Sequence, residues 1–537
     1  MIRALYITIE LTFYLIFRHV LKPRANDLSK KKRHPFRDYA HILDEPNSHR
    51  SRLFKRILDR IKVTSAHQGT CFHADFDAFI RGWFSFTRRE HSATGTFIDT
   101  HTATLNDDIT DFGNEIESSA QEGDSSTHSL TSEQSLSSNS GEDTNDNHSL
   151  PRKYCKANLP IIDFENVEKF FAWAFFDKRF DDLQSWECSE IDEMMELLRV
   201  EHDITFPKKY DVRDRDWNVQ PRCMTLERSN ALHRPLALYI FFGFVRLLGY
   251  AVLYIIFGYR RYEIIYEKGR TFSYWYRDGN AKGHEGTFKN PFLFFHGIAP
   301  GGLTFYLPFL EYCFPSKQSA ESTRPVFLFE TLPIACHLSF DVLSEEETVF
   351  GVEQALKRHG FSNNNCKLTL CGHSFGSFQL TWMVKAKRLR PLIEKLIILD
   401  SVSVLLSSPE VVSNFVYNGG EEKSGSDWAT YLNKTMIHLM ASSELFTEHY
   451  LRRGFAWYNS ELWIEDIPKQ VETHVFLAEK DVILDSQKIK KELQMHCRSR
   501  KNLSYTIWKG YGHADVLTRP HLWPDVLAAL NYREKMD

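Results

Sequence analysis

From about residue 262 onward, short apolar runs alternate with segments that are long enough to form helices. The runs are apolar on both faces, whereas a strand with one solvated face would alternate polar and apolar residues. This pattern predicts an α/β domain with a mostly parallel sheet covered by helices. After a predicted hairpin (YEIIYE and TFSYWYR), the predicted strands are FLFFHG at 292–297, PVFLFE at 325–330, KLTLCG at 367–372, LIILD at 396–400, HVFLAEKD at 474–481 and LSYTIW at 503–508.

One helix of this half has both of its ends marked in the sequence. Ser344 and Glu347 have the spacing of a capping box, in which each side chain accepts a hydrogen bond from the other residue's backbone N–H. An amphipathic stretch follows, and Gly360 stands where a left-handed residue commonly ends a helix. We therefore expect a helix between these two positions.

The segment GHSFG places Ser374 between Gly372 and Gly376 in the spacing G-x-S-x-G. It directly follows a predicted strand, and the helix-like stretch FQLTWMVKAKRL follows it. A serine at a sharp strand-to-helix turn exposes its hydroxyl at the edge of a sheet, and the strained turn leaves room only for glycine on either side. The context therefore favours Ser374 as a nucleophile over a small residue in an ordinary turn.

A serine nucleophile needs N–H donors for the negative charge that develops on the attacked carbonyl oxygen. One expected donor is the backbone N–H of Phe375, the residue after the serine. The second is expected in the loop FFHGIAPGG after an earlier strand, at the N–H of Ile298, with His296 and Gly297 as supporting residues. The other interpretation is a glycine-rich strand–helix loop without a donor role.

A general base and an orienting acid complete the expected site. YGHADVL supplies His513 directly after the last predicted strand, although one histidine among 23 carries little weight by itself. The acid is expected after the preceding strand, where Asp481 stands; it would orient the imidazole and stabilise the imidazolium. Asp485, four residues later, and Asp400, at the end of an earlier strand, are alternatives for this role.

The segments HGIAPGG, GHSFGS, AEKDVILD and YGHADVL occur in this order, and with them residues 262–537 resemble the α/β-hydrolase superfamily of serine hydrolases. The resemblance implies the α/β-hydrolase fold, an ester, thioester or amide substrate, and a covalent acyl-enzyme. The serine argues against the branches that use an aspartate nucleophile. Thr518 stands where the H-x-x-x-x-D signature of some acyltransferases has its acid, which disfavours that branch.

The segment 401–470 is too long for a simple loop. It lies at the position in the chain at which this superfamily carries a cap. The segment is rich in apolar and aromatic side chains, and its stretch DWATYLNKTMIHLM reads as a helix. Such a helix would roof a pocket for an acyl chain, or it would only pack the cap onto the core.

Two apolar segments outside this half indicate membrane contact. Residues 1–25 contain an apolar run that is short for a spanning helix and is interrupted by Glu10, and basic residues follow it. This segment fits an anchor or interfacial helix at a membrane, and it also fits an N-terminal helix packed on the protein. Residues 235–261 are long enough to span, but Arg246 lies near the middle. A tilted or in-plane membrane helix, a hairpin and a buried helix also fit this second segment.

The remaining N-terminal segments differ in composition. Residues 26–99 are basic to mixed, and residues 100–150 form an acidic, serine-rich insert that we expect to be disordered. Residues 151–234 carry apolar residues at helical spacing and predict two or three accessory helices.

The near-balanced net charge of −4 gives no reason to expect a nucleic-acid partner. The nine cysteines are scattered and form no zinc-site spacing, so we expect free thiols, no metal and no cofactor. The leading hypothesis is a membrane-associated serine hydrolase of lipid-like carboxylic esters, at the endoplasmic reticulum or another endomembrane, with a cytosolic catalytic domain. Its partners would be the lipid-like ester substrate and the membrane surface. The alternatives are a thioesterase or acyltransferase of the same fold, or a non-catalytic membrane scaffold.

Overall fold

The computed structural model describes residues 2–28, 50–88, 160–208, 217–279, 290–316, 324–362, 366–417 and 428–531. The chain divides into two compact units, one formed by Met1–Thr70 with Cys223–Asp537 and the other by Cys71–Arg222. The insert predicted at 100–150 lies outside the described residues.

The strands form two sheets, one in each unit. In chain order the strands are β1 Phe84–Arg88, β2 Trp217–Pro221, β3 Arg260–Ile265, β4 Thr271–Arg277, β5 Phe292–Phe295, β6 Val326–Glu330, β7 Leu368–His373, β8 Ile393–Leu399, β9 Glu472–Ala478 and β10 Leu503–Trp508. The larger sheet has the order β10-β9-β8-β7-β5-β6-β4-β3. Its strands are parallel from β10 to β6, and β4 is antiparallel to both β6 and β3.

The helices of both units are named in the same way, in chain order. They are α1 Ile2–Ile16, α2 Lys22–Ala25, α3 Arg50–Gln68, α4 Phe72–Arg81, α5 Phe164–Phe176, α6 Ser185–His202, α7 Leu236–Ala251, α8 Leu307–Cys313, α9 Glu345–Arg358, α10 Gly376–Lys385, α11 Glu410–Val412, α12 Trp428–Ile437, α13 Leu445–Arg453, α14 Trp457–Ser460, α15 Ser486–Cys497 and α16 Trp523–Leu530. A π-helical turn, Phe17–Leu21, joins α1 to α2, and another, Val252–Ile256, extends α7.

Among the strands predicted to be apolar on both faces, those at the centre of the sheet are buried on both faces, whereas in the edge strand β10 only Leu503 and Trp508 are buried. Every residue of β5, β6 and β7 is buried, since helices cover both sides of the sheet at its centre. Each predicted strand of this half is present within a few residues of its expected bounds, and the hairpin pairs β3 with β4. The strand order, with one antiparallel strand near the edge of a parallel sheet, is that of the α/β-hydrolase fold.

The helix predicted after Ser344 is α9. Glu347 N–H donates to Ser344 Oγ over 3.2 Å, and Ser344 N–H donates to Glu347 Oε2 over 2.7 Å, so both bonds of the capping box are present. Gly360 has a φ of +83°, a left-handed conformation that glycine adopts without strain. Both ends of this helix are therefore where the sequence predicts them.

The smaller unit contains helices and also a short sheet that the sequence patterns did not predict. The expected apolar stripe of α5 is buried, with Phe171 exposed by only 1% and Trp173 by 5%. β1 pairs antiparallel with β2, although 128 residues separate Arg88 from Trp217. A pairing of two short strands so distant in sequence has no local signal.

Among the described helices, the one that runs from Leu236 to Ile256 is long and apolar enough to cross a bilayer by length and composition, with a mean hydropathy of 2.0. It lies in the larger unit together with α1. Both helices leave many large apolar side chains exposed.

Candidate active site

Ser374 lies at the turn between β7 and α10, with a φ of +50°. A Cβ atom on Gly372 would lie 2.7 Å from the carbonyl oxygen of Gly376, and one on Gly376 would lie 2.1 Å from the carbonyl oxygen of Phe295. Glycine is therefore required on both sides of the serine, because the backbones approach more closely than any side chain allows. Ser374 N–H donates to Leu399 O over 2.9 Å, which attaches the turn to the neighbouring strand β8.

The structure brings Ser374, His513 and Asp481 together in one hydrogen-bonded row. Ser374 Oγ lies 2.9 Å from His513 Nε2, and His513 Nδ1 donates to Asp481 Oδ2 over 2.6 Å. The other carboxylate oxygen, Asp481 Oδ1, accepts the N–H groups of Ile483 and Leu484 at 2.8 and 3.0 Å. All three side chains follow parallel strands, so the carboxyl edge of the sheet collects them from positions far apart in sequence.

The charge on His513 is controlled by two carboxylates. Burial lowers the pKa of the imidazole, but the charge and hydrogen bond of Asp481, with the charge of Asp400, outweigh burial and raise the pKa to about 9. The imidazolium is thus strongly stabilised in this site. The same interaction will stabilise the cation that forms when the imidazole accepts a proton from a serine hydroxyl.

The other two candidate acids have different positions. Asp485 caps α15, where its Oδ1 accepts Lys488 N–H over 2.9 Å. Asp400 is fully buried, and its two oxygens accept the N–H groups of Ala478 and Ala514, each at 3.0 Å. Of the three aspartates, the one that bonds the His513 ring is Asp481.

The expected donor groups flank the serine from two sides. A Cβ atom on Gly297 would lie 2.9 Å from Ser374 Cβ, so the loop that carries Ile298 packs directly on the elbow. Within the described residues, neither the Phe375 nor the Ile298 N–H donates a hydrogen bond to another part of the chain. Both are therefore free to bind an oxyanion, whereas the Gly297 N–H already donates to Tyr306 Oη over 2.8 Å.

His296 joins two strand ends below this loop. Thr331 N–H donates to its Nε2 over 3.0 Å, so the ring proton is on Nδ1, which donates to Gly297 O over 2.7 Å. Burial lowers the pKa of His296 to about 4, which keeps the ring neutral. This histidine holds the loop in place and does not reach Ser374 by a hydrogen bond.

A buried polar path under the elbow was not predicted from the sequence. Gly297 N–H donates to Tyr306 Oη, and Tyr306 O–H donates to His373 Nδ1, each over 2.8 Å. The proton of the neutral His373 ring is then on Nε2, which lies 3.7 Å from Asp400 Oδ2. Hydrogen bonds thus connect the residue before Ile298 with the residue before Ser374, and Asp400, which lies near the His373 ring without a hydrogen bond to it, holds Ala514, the residue after His513.

Only part of this path has a signal in the sequence. His373 is the residue before the serine in the elbow motif, and Asp400 ends a predicted strand. Tyr306 has no such marker, because its contact with His373 spans 67 residues and arises from packing.

Asp400, Asp481 and His513 place ligand atoms within 4.8 Å of one another, a spacing that could hold a metal ion. Hydrogen bonds account for the grouping, since Asp481 bonds both the imidazole and two N–H groups, and both oxygens of Asp400 accept N–H groups. Their chemistry fits the orientation of a histidine better than the coordination of a cation.

The predicted cap helix is α12, beside the His513 loop. A Cβ atom on Gly512 would lie 3.2 Å from Asn433 Nδ2. The apolar side chains of α12 and of the π-helical turn that follows it form an exposed stripe: Trp428 (73%), Leu432 (48%), Met436 (49%) and Leu439 (39%). The cap therefore presents an apolar face to its surroundings near the candidate site.

No family model matches the chain. No curated protein matches it either. Among solved structures, carboxylesterase CesB from Bacillus subtilis is 11% identical and covers 55% of this chain and 98% of its own, with a TM-score of 0.35. A membrane phospholipase A described as a bacterial virulence factor is 13% identical to this chain. The alignment covers 55% of this chain and 92% of the phospholipase, with a TM-score of 0.36. A thermophilic esterase from Thermogutta terrifontis is 15% identical to this chain. The alignment covers 52% of this chain and 98% of the esterase, with a TM-score of 0.36.

These similarities are too distant to assign an activity. The assignment of the fold rests on the strand order of the larger sheet and on the strained elbow between β7 and α10. On these grounds residues 260–531 have the α/β-hydrolase fold.

Proposed function

We propose that this protein is a serine hydrolase of carboxylic esters. The observation that carries the proposal is the row of hydrogen bonds from Ser374 Oγ through the His513 ring to Asp481, at 2.9 and 2.6 Å. Such a row converts a weakly nucleophilic hydroxyl into an activated one, because the base and the group that orients it are already in place.

The reaction follows from the positions of these groups. His513 Nε2 takes the Ser374 hydroxyl proton as Oγ attacks the ester carbonyl carbon, and the Phe375 and Ile298 N–H groups bind the oxyanion. The imidazolium then donates its proton to the leaving alkoxide, which departs as an alcohol and leaves an acyl-enzyme. A water molecule, deprotonated by His513, attacks the acyl carbonyl, and the protonated His513 returns its proton to Ser374 Oγ as the acid leaves.

The substrate that we propose is a lipid-like ester at a membrane surface. Two observations support this choice: the exposed apolar stripe on the cap helix α12, and the half-exposed apolar helix from Leu236 to Ile256. Exposed apolar area on this scale is typical of proteins that bind a membrane or a partner. The eight described cysteines are free thiols, which fits a catalytic domain on the reducing, cytosolic side of the endoplasmic reticulum or another endomembrane.

Labelling with a fluorophosphonate tests the proposal, because this reagent phosphonylates an activated serine. Wild type is expected to label, and Ser374→Ala is expected not to label. Ser377→Ala is the matched control, since Ser377 is the second residue of α10, three residues after Ser374, is fully buried and should leave labelling unchanged. Equal labelling of wild type and Ser374→Ala would contradict the proposal.

A panel of esters with increasing acyl length then tests the substrate class. We expect kcat/KM to rise with acyl length, and a preference for short soluble esters would contradict the lipid-like substrate. The acceptor separates hydrolysis from acyl transfer: release of free acid is expected, and faster transfer to an added alcohol would favour an acyltransferase.

A further inference from the structure

The exposed sides of α1, of α7 and of the π-helical turn that extends α7 form an apolar surface that the proposed chemistry does not use. We call this surface the docking face and define it by Leu11, Leu15, Ile240, Phe244, Leu247 and Ile255. These side chains are exposed by 57%, 48%, 64%, 58%, 62% and 75%. Isolated exposed apolar residues are common, but a contiguous set of this size marks a binding surface.

The helix α7 has two distinct sides. Its inner side packs on the larger unit along its length: Tyr239 Oη donates to Glu444 over 2.8 Å, and Tyr250 Oη donates to Glu330 over 2.8 Å. Leu253, just beyond α7, is buried in the core. A helix attached to the domain along its whole length cannot also cross a bilayer, since crossing would place the attached domain in the hydrocarbon.

Charges are absent from the docking face for structural reasons. Arg246, the charged residue within α7, lies on the inner side, where its Nη1 atom is buried. Glu10, the acid within α1, caps α7: its carboxylate oxygens accept the N–H groups of Leu236 and Ala237 at 2.9 and 3.0 Å. The two residues that interrupt the apolar runs in the sequence therefore face protein.

Basic residues border the docking face. Arg18 is exposed two residues after α1 ends, Arg24 is exposed on α2, and Arg260 is exposed just after the helical segment that ends at Ile256. An apolar face with cations at its border is complementary to a leaflet that contains anionic lipids, because the apolar groups enter the acyl region while the cations stay at the headgroups.

We infer that the docking face lies in the plane of one bilayer leaflet, so that the protein binds the membrane from one side without crossing it. This inference rests on the membrane association in the proposed function and specifies its geometry. The occupant of the docking face is thus a lipid surface.

The docking face is also connected to the candidate site. A Cβ atom on Gly249 of α7 would lie 2.3 Å from Thr304 Oγ1, in the turn after the Ile298 loop. At the other end, Arg234 just before α7 donates to Leu439 O over 2.6 Å and so holds the end of the cap helix. The helix that carries the docking face is therefore in direct contact with the turn after the Ile298 loop, and Arg234, just before this helix, contacts the end of the cap helix.

Flotation of the full-length protein with phosphatidylcholine–phosphatidylserine vesicles tests the docking face. The double variant Phe244→Asp/Leu247→Asp is expected to bind roughly 100-fold more weakly, since two exposed apolar side chains that would enter the acyl region are replaced by charged ones. Val63→Asp is the control, because Val63 is 57% exposed on α3, outside the docking face. Unchanged flotation of the double variant would overturn the inference. The inference would also be overturned if wild type formed dimers, the double variant did not, and the double variant still floated with the vesicles.

Hydrolysis of a short soluble ester separates the two proposals. The double variant should hydrolyse it within about twofold of wild type, which also shows that the variant is folded. If wild type itself failed to hydrolyse any ester, the proposed function would fail while a flotation difference would still establish the docking face.

The depth of α7 separates in-plane docking from a spanning helix. A fluorescent amino acid is incorporated at position 240, 247 or 255 and quenched by lipids brominated at shallow or deep positions. In-plane docking predicts similar, shallow quenching at all three positions. Deep quenching at 247 with shallow quenching at 240 and 255 would overturn the inference.

Discussion

The carboxyl edge of the sheet and the helix pair α1 and α7 belong to the same unit but differ in what they bury. The sheet edge buries polar groups, whereas the helix pair exposes apolar ones. At the sheet edge, Ser374, His513 and Asp481 are polar groups that burial makes costly, and each is held by hydrogen bonds to defined partners. On α7 and the π-helical turn that extends it, apolar groups such as Ile240 and Ile255 stay in solvent, which is unfavourable without a covering surface. The first region is complete in the isolated chain, whereas the second is completed only by something outside it.

The largest effect should come from the base at the sheet edge. Replacing His513 by Ala removes the proposed acceptor of the serine proton, and we expect kcat/KM to fall by about 10⁴- to 10⁶-fold. Steady-state hydrolysis of a soluble ester measures this. A loss of less than about tenfold would mean that the row of hydrogen bonds is not the catalytic unit.

Asp481→Asn should cost on the order of 10³- to 10⁴-fold in kcat, because the imidazole loses the charge that stabilises its cation. Asp485→Asn is the matched control, since Asp485 caps α15 and should affect stability by about 1 kcal/mol with little change in kcat. If the two variants exchanged these effects, Asp485 would be the orienting acid.

The pH dependence follows from the raised pKa of His513. The base works only when neutral, so kcat/KM should rise with pH through the pKa of about 9 in the free enzyme, above the usual value for histidine. The same raised pKa stabilises the folded state below the ordinary histidine pKa, and this contribution is lost as pH rises through about 9. A profile already flat above pH 7 would contradict the assignment.

Asp400→Asn tests the polar path under the elbow. We expect a loss of roughly 10- to 100-fold in kcat with an unchanged KM, since Asp400 holds the backbone next to His513 without touching substrate. The loss of its charge should also move the rise in kcat/KM to lower pH, because that charge raises the pKa of His513. A stability loss without this pH shift would indicate a purely structural role.

The smallest effect should come from the helix pair. Glu10→Ala removes two hydrogen bonds at the start of α7 and should lower the free energy of unfolding by about 1 kcal/mol. Hydrolysis of a soluble ester should not change, because the change lies outside the site. Denaturant unfolding together with the ester assay measures both quantities, and a large loss of soluble activity would break the distinction between the two regions.

The sheet edge could be predicted from the sequence more fully than the helix pair could. Gly372, Ser374 and Gly376 shape the backbone of one tight turn. The five residues 372–376 are therefore enough to predict this turn from the sequence. Strands buried on both faces, such as β5, β6 and β7, are recognisable from composition, and β5 to β10 were all predicted within a few residues. For His513 and Asp481, the order along the chain and the position after a strand selected two residues that the structure places in hydrogen-bond contact, and their catalytic roles stay a prediction.

Contacts between distant segments could not be predicted in this way. Glu10 interrupts an apolar run and argues against a spanning helix, but its contact with the start of α7 is visible only once α7 is placed beside α1. Tyr306 and the pairing of β1 with β2 likewise depend on packing across long separations. Arg246 suggested a costly charge in a membrane, and the fold turns it toward protein.

The most direct test of the account is to trap the acyl-enzyme. Full-length protein is mixed with a soluble ester, quenched in acid within the first turnover and digested with trypsin. Mass spectrometry should then find the acyl group on the peptide from Leu368 to Lys385, with fragmentation placing it on Ser374 and not on Ser377. An acyl group on any other residue, or ester turnover without an acylated peptide, would contradict a nucleophilic Ser374.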